Sequence, residues 1–167
     1  MPRSLILMRH AKQSSHATSD HERPLTDAGL EQAHAVGLRL AESGVLPDRV
    51  LSSTALRCRE TWAGVEAALT GSLPIDFEET LYDASADQLL HEIAGTPDDV
   101  NSLLVLAHNP GISMLALALA GNRDAEIDRL REGFSPATIA RFDVEGFWSD
   151  LSPRNVRLRA FERTGTI

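Results

Sequence analysis

A three-layer α/β sandwich with a mostly parallel central sheet is the fold class this sequence predicts, on three observations. Short apolar runs alternate along the chain with segments of helical periodicity. Glycine and proline fall between these segments rather than inside them. Two of the apolar runs, "LILM" (Leu5 to Met8) and "SLLVLA" (Ser102 to Ala107), show no polar alternation, as expected of parallel strands covered by helices on both faces.

The elements follow in order. "LILM" is the first strand. After a polar loop, Thr26 caps a helix whose apolar or small positions Leu30, Ala33, Gly37, Leu38 and Ala41 keep helical spacing and which ends near Gly44. "RVLS" (Arg49 to Ser52) is a second strand, and the next helix carries Ala55, Cys58, Trp62, Val65 and Leu69, with Gly71 closing it. Cys58 therefore reads as core. "LPIDF" forms a third strand; Ser85, with Gln88 three residues on, opens a helix through a capping box, and Leu89, Leu90 and Ile93 supply its buried stripe. "SLLVLA" is the clearest buried strand. Asn109 is placed to cap the following helix, with Pro110 at its first position and Gly121 at its end. Residues 136–144 and 155–161 then read as two strands with only a loop between them, a hairpin or adjacent edge strands closing the sheet.

The 167 residues, 43% of them hydrophobic, suit one domain spanning 1–167 with a substantial core. No run approaches the roughly 20 apolar residues that a spanning helix needs, so a cytoplasmic protein with no membrane partner is expected. The lone Cys58 permits no internal disulfide. A net charge of -8 argues against nucleic acid as a partner, because phosphate backbones reward a basic surface. It leaves room for a small anion, since close arginine contacts outweigh a distant screened field.

Three strands end in an anion-binding or reactive group just before a helix begins: Arg9 and His10 after "LILM", Arg57 in the opening turn after "SSTALR", and His108 with Asn109 after "SLLVLA". In an open α/β sheet, ligands gather at the carboxyl ends of the strands, where helix N-termini also favour negative charge. Two arginines can clamp a phosphoryl group, and two histidines beside it can supply a nucleophile and a further donor. The placement points to phosphoryl transfer. Cys58 has no arginine six residues on, and neither a Walker lysine motif nor a GxSxG elbow is present. His21, His34 and His91 show no paired metal-ligand spacing and read as surface groups.

"LILMRHAKQ" resembles the Arg-His signature of the histidine phosphatase (phosphoglycerate mutase-like) superfamily, with Ala11 where many members have glycine. "DHERPLTDAGLEQA", "VLSSTALRCRETW" and "LLVLAHNPGIS" resemble its SixA-like branch, whose best-known members are phosphohistidine phosphatases. The resemblance implies a phosphoglycerate mutase-like fold and a metal-independent phosphatase without cofactor. His10 would attack phosphorus and become transiently phosphorylated, while Arg9, Arg57 and His108 would surround the equatorial oxygens. Asp83 in "ETLYDAS" stands at the best-matching position for the general acid that many members carry, with Glu79 as the fallback. His16 stands about where mutase-like relatives hold a phosphate-binding asparagine. Arg23, preceding a proline, reads as a residue that pins the loop through carbonyls. The implied partner is phosphohistidine on a protein, with small phosphomonoesters as the alternative substrate. A non-catalytic module that binds phosphate or a phosphoprotein is the competing class.

Overall fold

The structure, a computed structural model, describes residues 1–122 and 126–163. Six strands form one sheet: β1 (Arg3–Arg9), β2 (Arg49–Ser53), β3 (Ile75–Glu78), β4 (Ser102–Ala107), β5 (Ile139–Val144) and β6 (Val156–Glu162). Their order across the sheet is β3-β2-β4-β1-β5-β6. β3, β2, β4 and β1 run parallel, and β5 and β6 are added antiparallel beside β1. The two strands expected at the end of the chain are thus neighbours closing one edge. β5 begins at Ile139 rather than 136, because Ser135 to Thr138 makes a turn held by the Thr138 N–H on the Ser135 carbonyl (3.1 Å).

The absence of polar alternation in β1 and β4 has a direct cause. Leu5 and Leu7 of β1, with Leu103 and Val105 of β4, face one core; it is completed by α3 (Ala86–Ala94) and α4 (Gly111–Ala120) through Leu89, Ile93, Ile112 and Leu115. Ile6, Met8, Leu104 and Leu106 face the other, against α1 (Asp27–Ser43) and α2 (Leu56–Ala67). Both faces are dry, and each fully buried aliphatic side chain contributes about 1.5–3 kcal/mol. A short helix α5 (Ile127–Arg131) precedes β5. Among the described residues no helix is long and apolar enough to cross a membrane.

The expected caps hold at Thr26, whose side chain accepts from Gly29 N–H, at Gly44 with its left-handed backbone, and at Ser85 with its full capping box. Asn109 differs. Its amide donates to the Phe134 carbonyl (2.8 Å), and α4 starts one residue later without a side-chain cap. α2 ends at Ala67, short of Gly71.

The buried face of α1 also differs from the apolar spacing. Leu30 and Leu38 are 45% and 47% exposed, and the inward face is Gly29, Ala33, Val36, Gly37 and Leu40. Close approach explains this: a Cβ on Gly29 would fall onto the Lys12 carbonyl, and the Thr26 N–H donates to that same carbonyl (2.9 Å). The bare glycine lets α1 lie against the segment that follows β1.

Candidate active site

Strand register assembles the site. β1 and β4 are adjacent and parallel with Arg9 opposite Ala107, so the next residue of each strand, His10 and His108, must emerge side by side. Their ring centroids lie 5.2 Å apart. On the other side of β4, Ser52 of β2 is opposite Leu106, which carries Ser53 to the same level. The Ser53 hydroxyl lies 2.7 Å from His108 Nε2. α2 starts three residues later and brings Arg57 in on its first turn.

Both histidines are 3% exposed and Arg57 is 5% exposed, so their chemistry is set by burial. Burial first, with smaller contributions from His108, Arg9 and Arg57, pushes His10 down to about 3, against a hydrogen bond to Ala11 that favours the charged ring. His108 is pushed down to about 4 by burial and by Arg57. Both rings are neutral at pH 7. A carbonyl oxygen can only accept, so the 2.8 Å contact between His10 Nδ1 and the Ala11 carbonyl puts the ring hydrogen on Nδ1. The lone pair of His10 therefore resides on Nε2. The Ser53 hydroxyl accepts from the Ala55 N–H (3.2 Å); in the tautomer in which it donates to His108 Nε2, His108 carries its hydrogen on Nδ1.

Among the described residues, three buried nitrogens of this group have no protein partner: Arg9 Nε, Arg57 Nε and His108 Nδ1. Buried donors carry a cost of about 1–3 kcal/mol each unless an acceptor meets them, so the group fits an anion with several oxygens. The other ends of the two arginines are fixed. Arg9 Nη1 donates to the Phe134 carbonyl (2.9 Å), the acceptor that Asn109 also uses. Arg57 Nη1 donates to the Asp20 carbonyl (2.8 Å) and Nη2 to Asp20 Oδ2 (3.2 Å). Arg9 is lowered from the usual guanidinium range by desolvation and by Arg57 beside it.

Asp20, Tyr82 and Ser53 were not singled out in the sequence. Asp20 Oδ2 accepts from the Tyr82 hydroxyl (2.6 Å), and its Oδ1 accepts from Arg23 Nη1 (3.2 Å). The Tyr82 hydrogen bond, then Arg23 and Arg57, outweigh desolvation and hold the Asp20 carboxyl down at about 2. The Tyr82 ring packs edge-on to both His21 (5.0 Å) and His108 (5.5 Å). Two signals were available: Asp20 and Arg23 have ion-pair spacing, and Tyr82 is the chain's single tyrosine, set in a polar loop. Arg23 also pins the loop as expected, its Nε donating to the Ser14 carbonyl (2.7 Å).

The structure thus brings Arg9, His10, Arg57 and His108 into one group, in which Arg9 is half-buried and the other three are buried. It leaves His16 exposed, with its backbone N–H on the Ser14 hydroxyl, and Asp83 exposed beside Tyr82 with a left-handed backbone (φ 53°). Glu79 is exposed in a short 3-10 turn. Cys58 is fully buried, with its Sγ 3.7 Å from His108 Nε2, and burial raises its thiol to about 12, which suits a core residue.

Fold and site together define a class, the histidine phosphatases. Residues 5–89 match the histidine phosphatase superfamily (branch 1), and the chain belongs to that superfamily. Within it the protein is a SixA-like phosphatase. The solved structure of a putative phosphohistidine phosphatase SixA from Nakamurella multipartitia is 31% identical with a TM-score of 0.86, covering 99% of this chain and 100% of that one. The corresponding protein from Agrobacterium tumefaciens is 30% identical with a TM-score of 0.82, over 97% and 98% of the two chains. An uncharacterised protein of Mycobacterium tuberculosis is 37% identical over 160 residues, 92% of this chain and 98% of its own length.

Proposed function

We propose that the protein removes phosphoryl groups from phosphohistidine on a protein, through a covalent phosphohistidine intermediate on His10. The observation that carries this reading is the state of His10: buried, neutral, its Nδ1–H fixed on the Ala11 carbonyl and its Nε2 lone pair free. A neutral imidazole held in one tautomer is ready to attack phosphorus.

In the first step His10 Nε2 forms a bond to phosphorus as the bond to the substrate breaks. Arg9, Arg57 and His108 meet the equatorial oxygens with donors already in place, so charge is stabilised without reorganisation. In the second step water attacks phosphorus, forming a P–O bond as the P–N bond to His10 breaks; the ring departs neutral because Nδ1 has kept its hydrogen throughout, and the water hydrogens leave with the phosphate and the solvent. This chemistry runs on the side chains of the chain itself, within one domain and in the cytoplasm.

Phosphohistidine as the substrate is supported by the two SixA structures that are about one-third identical over nearly the whole chain, both described as putative phosphohistidine phosphatases. The grading of exposure supports it too. From the buried Arg57 to Asp20, 3.2 Å away with its side chain 49% exposed, the site opens toward solvent. A phosphorylated side chain on a protein surface can enter such a site. On this reading Asp83, exposed and next in sequence to Tyr82, gives the proton to an oxygen leaving group; a protonated phosphoimidazole has no need of one.

The test compares kcat/KM for a phosphohistidine-bearing protein with a panel of small phosphate esters. The phosphohistidine protein is expected to lead the panel. A small ester turned over more efficiently would assign the protein to small-molecule hydrolysis instead.

A further inference from the structure

We propose that Asp20 makes the site selective for a phosphorylated imidazole by accepting a hydrogen bond from the N–H of the departing ring. The inference rests on the proposed function and adds a specificity-determining residue to it.

Position comes first. His10, His108 and Arg57 form the buried floor, and Asp20 is bound to the outer edge of Arg57 while its side chain is half exposed. Phosphoryl transfer runs in line, so a nucleophile at the floor sends the leaving group out on the opposite, solvent-facing side. Asp20 and Tyr82 stand at the site's more exposed edge, Asp20 on Arg57 and Tyr82 edge-on to His108 (5.5 Å). The loop carrying Asp20 is held there by the Leu56 N–H on the His21 carbonyl (2.9 Å) and by His21 Nε2 with the Thr54 hydroxyl (2.9 Å).

Acceptor capacity comes second. A carboxylate offers about four lone-pair sites. Among the described residues, Oδ2 of Asp20 takes Tyr82 and Arg57, and Oδ1 takes Arg23 alone. One site on Oδ1 remains for a donor from the substrate. Charge comes third. The carboxylate is held ionised by its three donors, so it is a poor proton source for an oxygen leaving group and a repulsive neighbour for developing alkoxide or phenolate charge. Toward a protonated phosphoimidazole it is an attractive one.

The step balances. The electron pair on His10 Nε2 forms the new P–N bond while the pair of the breaking P–N bond returns to the substrate nitrogen. The substrate ring departs as neutral imidazole, because its other nitrogen keeps the hydrogen that it donates to Asp20. No proton passes to Asp20, and nothing is oxidised or reduced.

The experiment measures kcat/KM of the wild type, Asp20→Asn and Asp20→Glu on phosphoimidazole and on p-nitrophenyl phosphate. Both rates come from the same preparation, so any loss of folded protein cancels in their ratio. Removing the charge from a hydrogen bond of this kind should lower the phosphoimidazole to aryl phosphate ratio by roughly ten- to a hundredfold in Asp20→Asn, with Asp20→Glu recovering part of it. A parallel loss on both substrates, or an unchanged or raised ratio, overturns the inference and leaves Asp20 as a residue that only orients Arg57. A wild type that hydrolyses p-nitrophenyl phosphate but is inert to phosphoimidazole overturns the proposed function itself. A wild type active on both, with the ratio unmoved by Asp20→Asn, overturns this inference alone.

Discussion

The floor and the mouth of the candidate site are built by different means. Arg9, His10 and His108 take their places from the parallel pairing of β1 and β4, and Ser53 from that of β2 and β4, with all but the half-buried Arg9 enclosed. Asp20, Tyr82 and Arg23 take theirs from side-chain hydrogen bonds between two loops. Strand register is fixed by two dry cores at once, because a one-residue slip would exchange the sets of side chains facing them. The loops lack that constraint and are held by a few polar contacts, together with close packing at Gly111, where a Cβ would fall onto the Ala84 carbonyl. The floor is therefore suited to invariant chemistry and the mouth to choosing what reaches it.

Predictions follow that division. At the floor, Arg57→Lys keeps the charge but loses the planar fork that serves Asp20 on one edge and an anion on the other. It should lower kcat/KM on any phosphorylated substrate by about 10²-fold. A variant within a few-fold of wild type on p-nitrophenyl phosphate would show that the guanidinium geometry is not used.

Ser53→Ala should cost less in rate. It leaves His108 Nε2 without its hydroxyl partner, destabilising the fold by about 1–3 kcal/mol in urea denaturation. It also frees the ring to change tautomer, lowering kcat by roughly tenfold. Unchanged stability and kcat would remove Ser53 from the account.

The smallest effect near neutrality is the pH dependence of stability. His10 and His108 are held at about 3 and about 4 in the folded protein, against an ordinary value of 6.5. Below 6.5 the unfolded chain binds protons that the folded floor refuses, so these two groups make stability fall as pH drops from about 6.5 toward 4. They contribute no slope above pH 7.5. Thermal melts, with histidine ring NMR to show both rings still neutral at pH 5, check this; rings that titrate near 6.5 would mean that the floor is wet.

The same contrast explains what could be read from the chain. An apolar run such as "LILM" states its own burial, and the polar residues ending it can only stand at the sheet's open edge, so Arg9, His10, Arg57 and His108 were legible. Asp20 and Tyr82 are 62 positions apart and meet only through loops, and no periodicity encodes such a contact. Asn109 carried a capping signal but is drawn to the Phe134 carbonyl, a tertiary partner 25 residues away. On α1, apolar spacing found the buried Ala33 and Gly37 but also chose the exposed Leu30 and Leu38, and it passed over Gly29, whose bare Cα the close approach to the Lys12 carbonyl requires.

The central claim is that His10 carries the phosphoryl group. Mixing enzyme with radiolabelled phosphoimidazole, quenching in alkali within the first turnover and mapping the label tests it most directly. The account predicts label on the peptide containing His10, stable in alkali, released by acid and absent from His10→Ala. Label on another residue, or a His10→Ala variant that still turns over substrate at the wild-type rate, would contradict it.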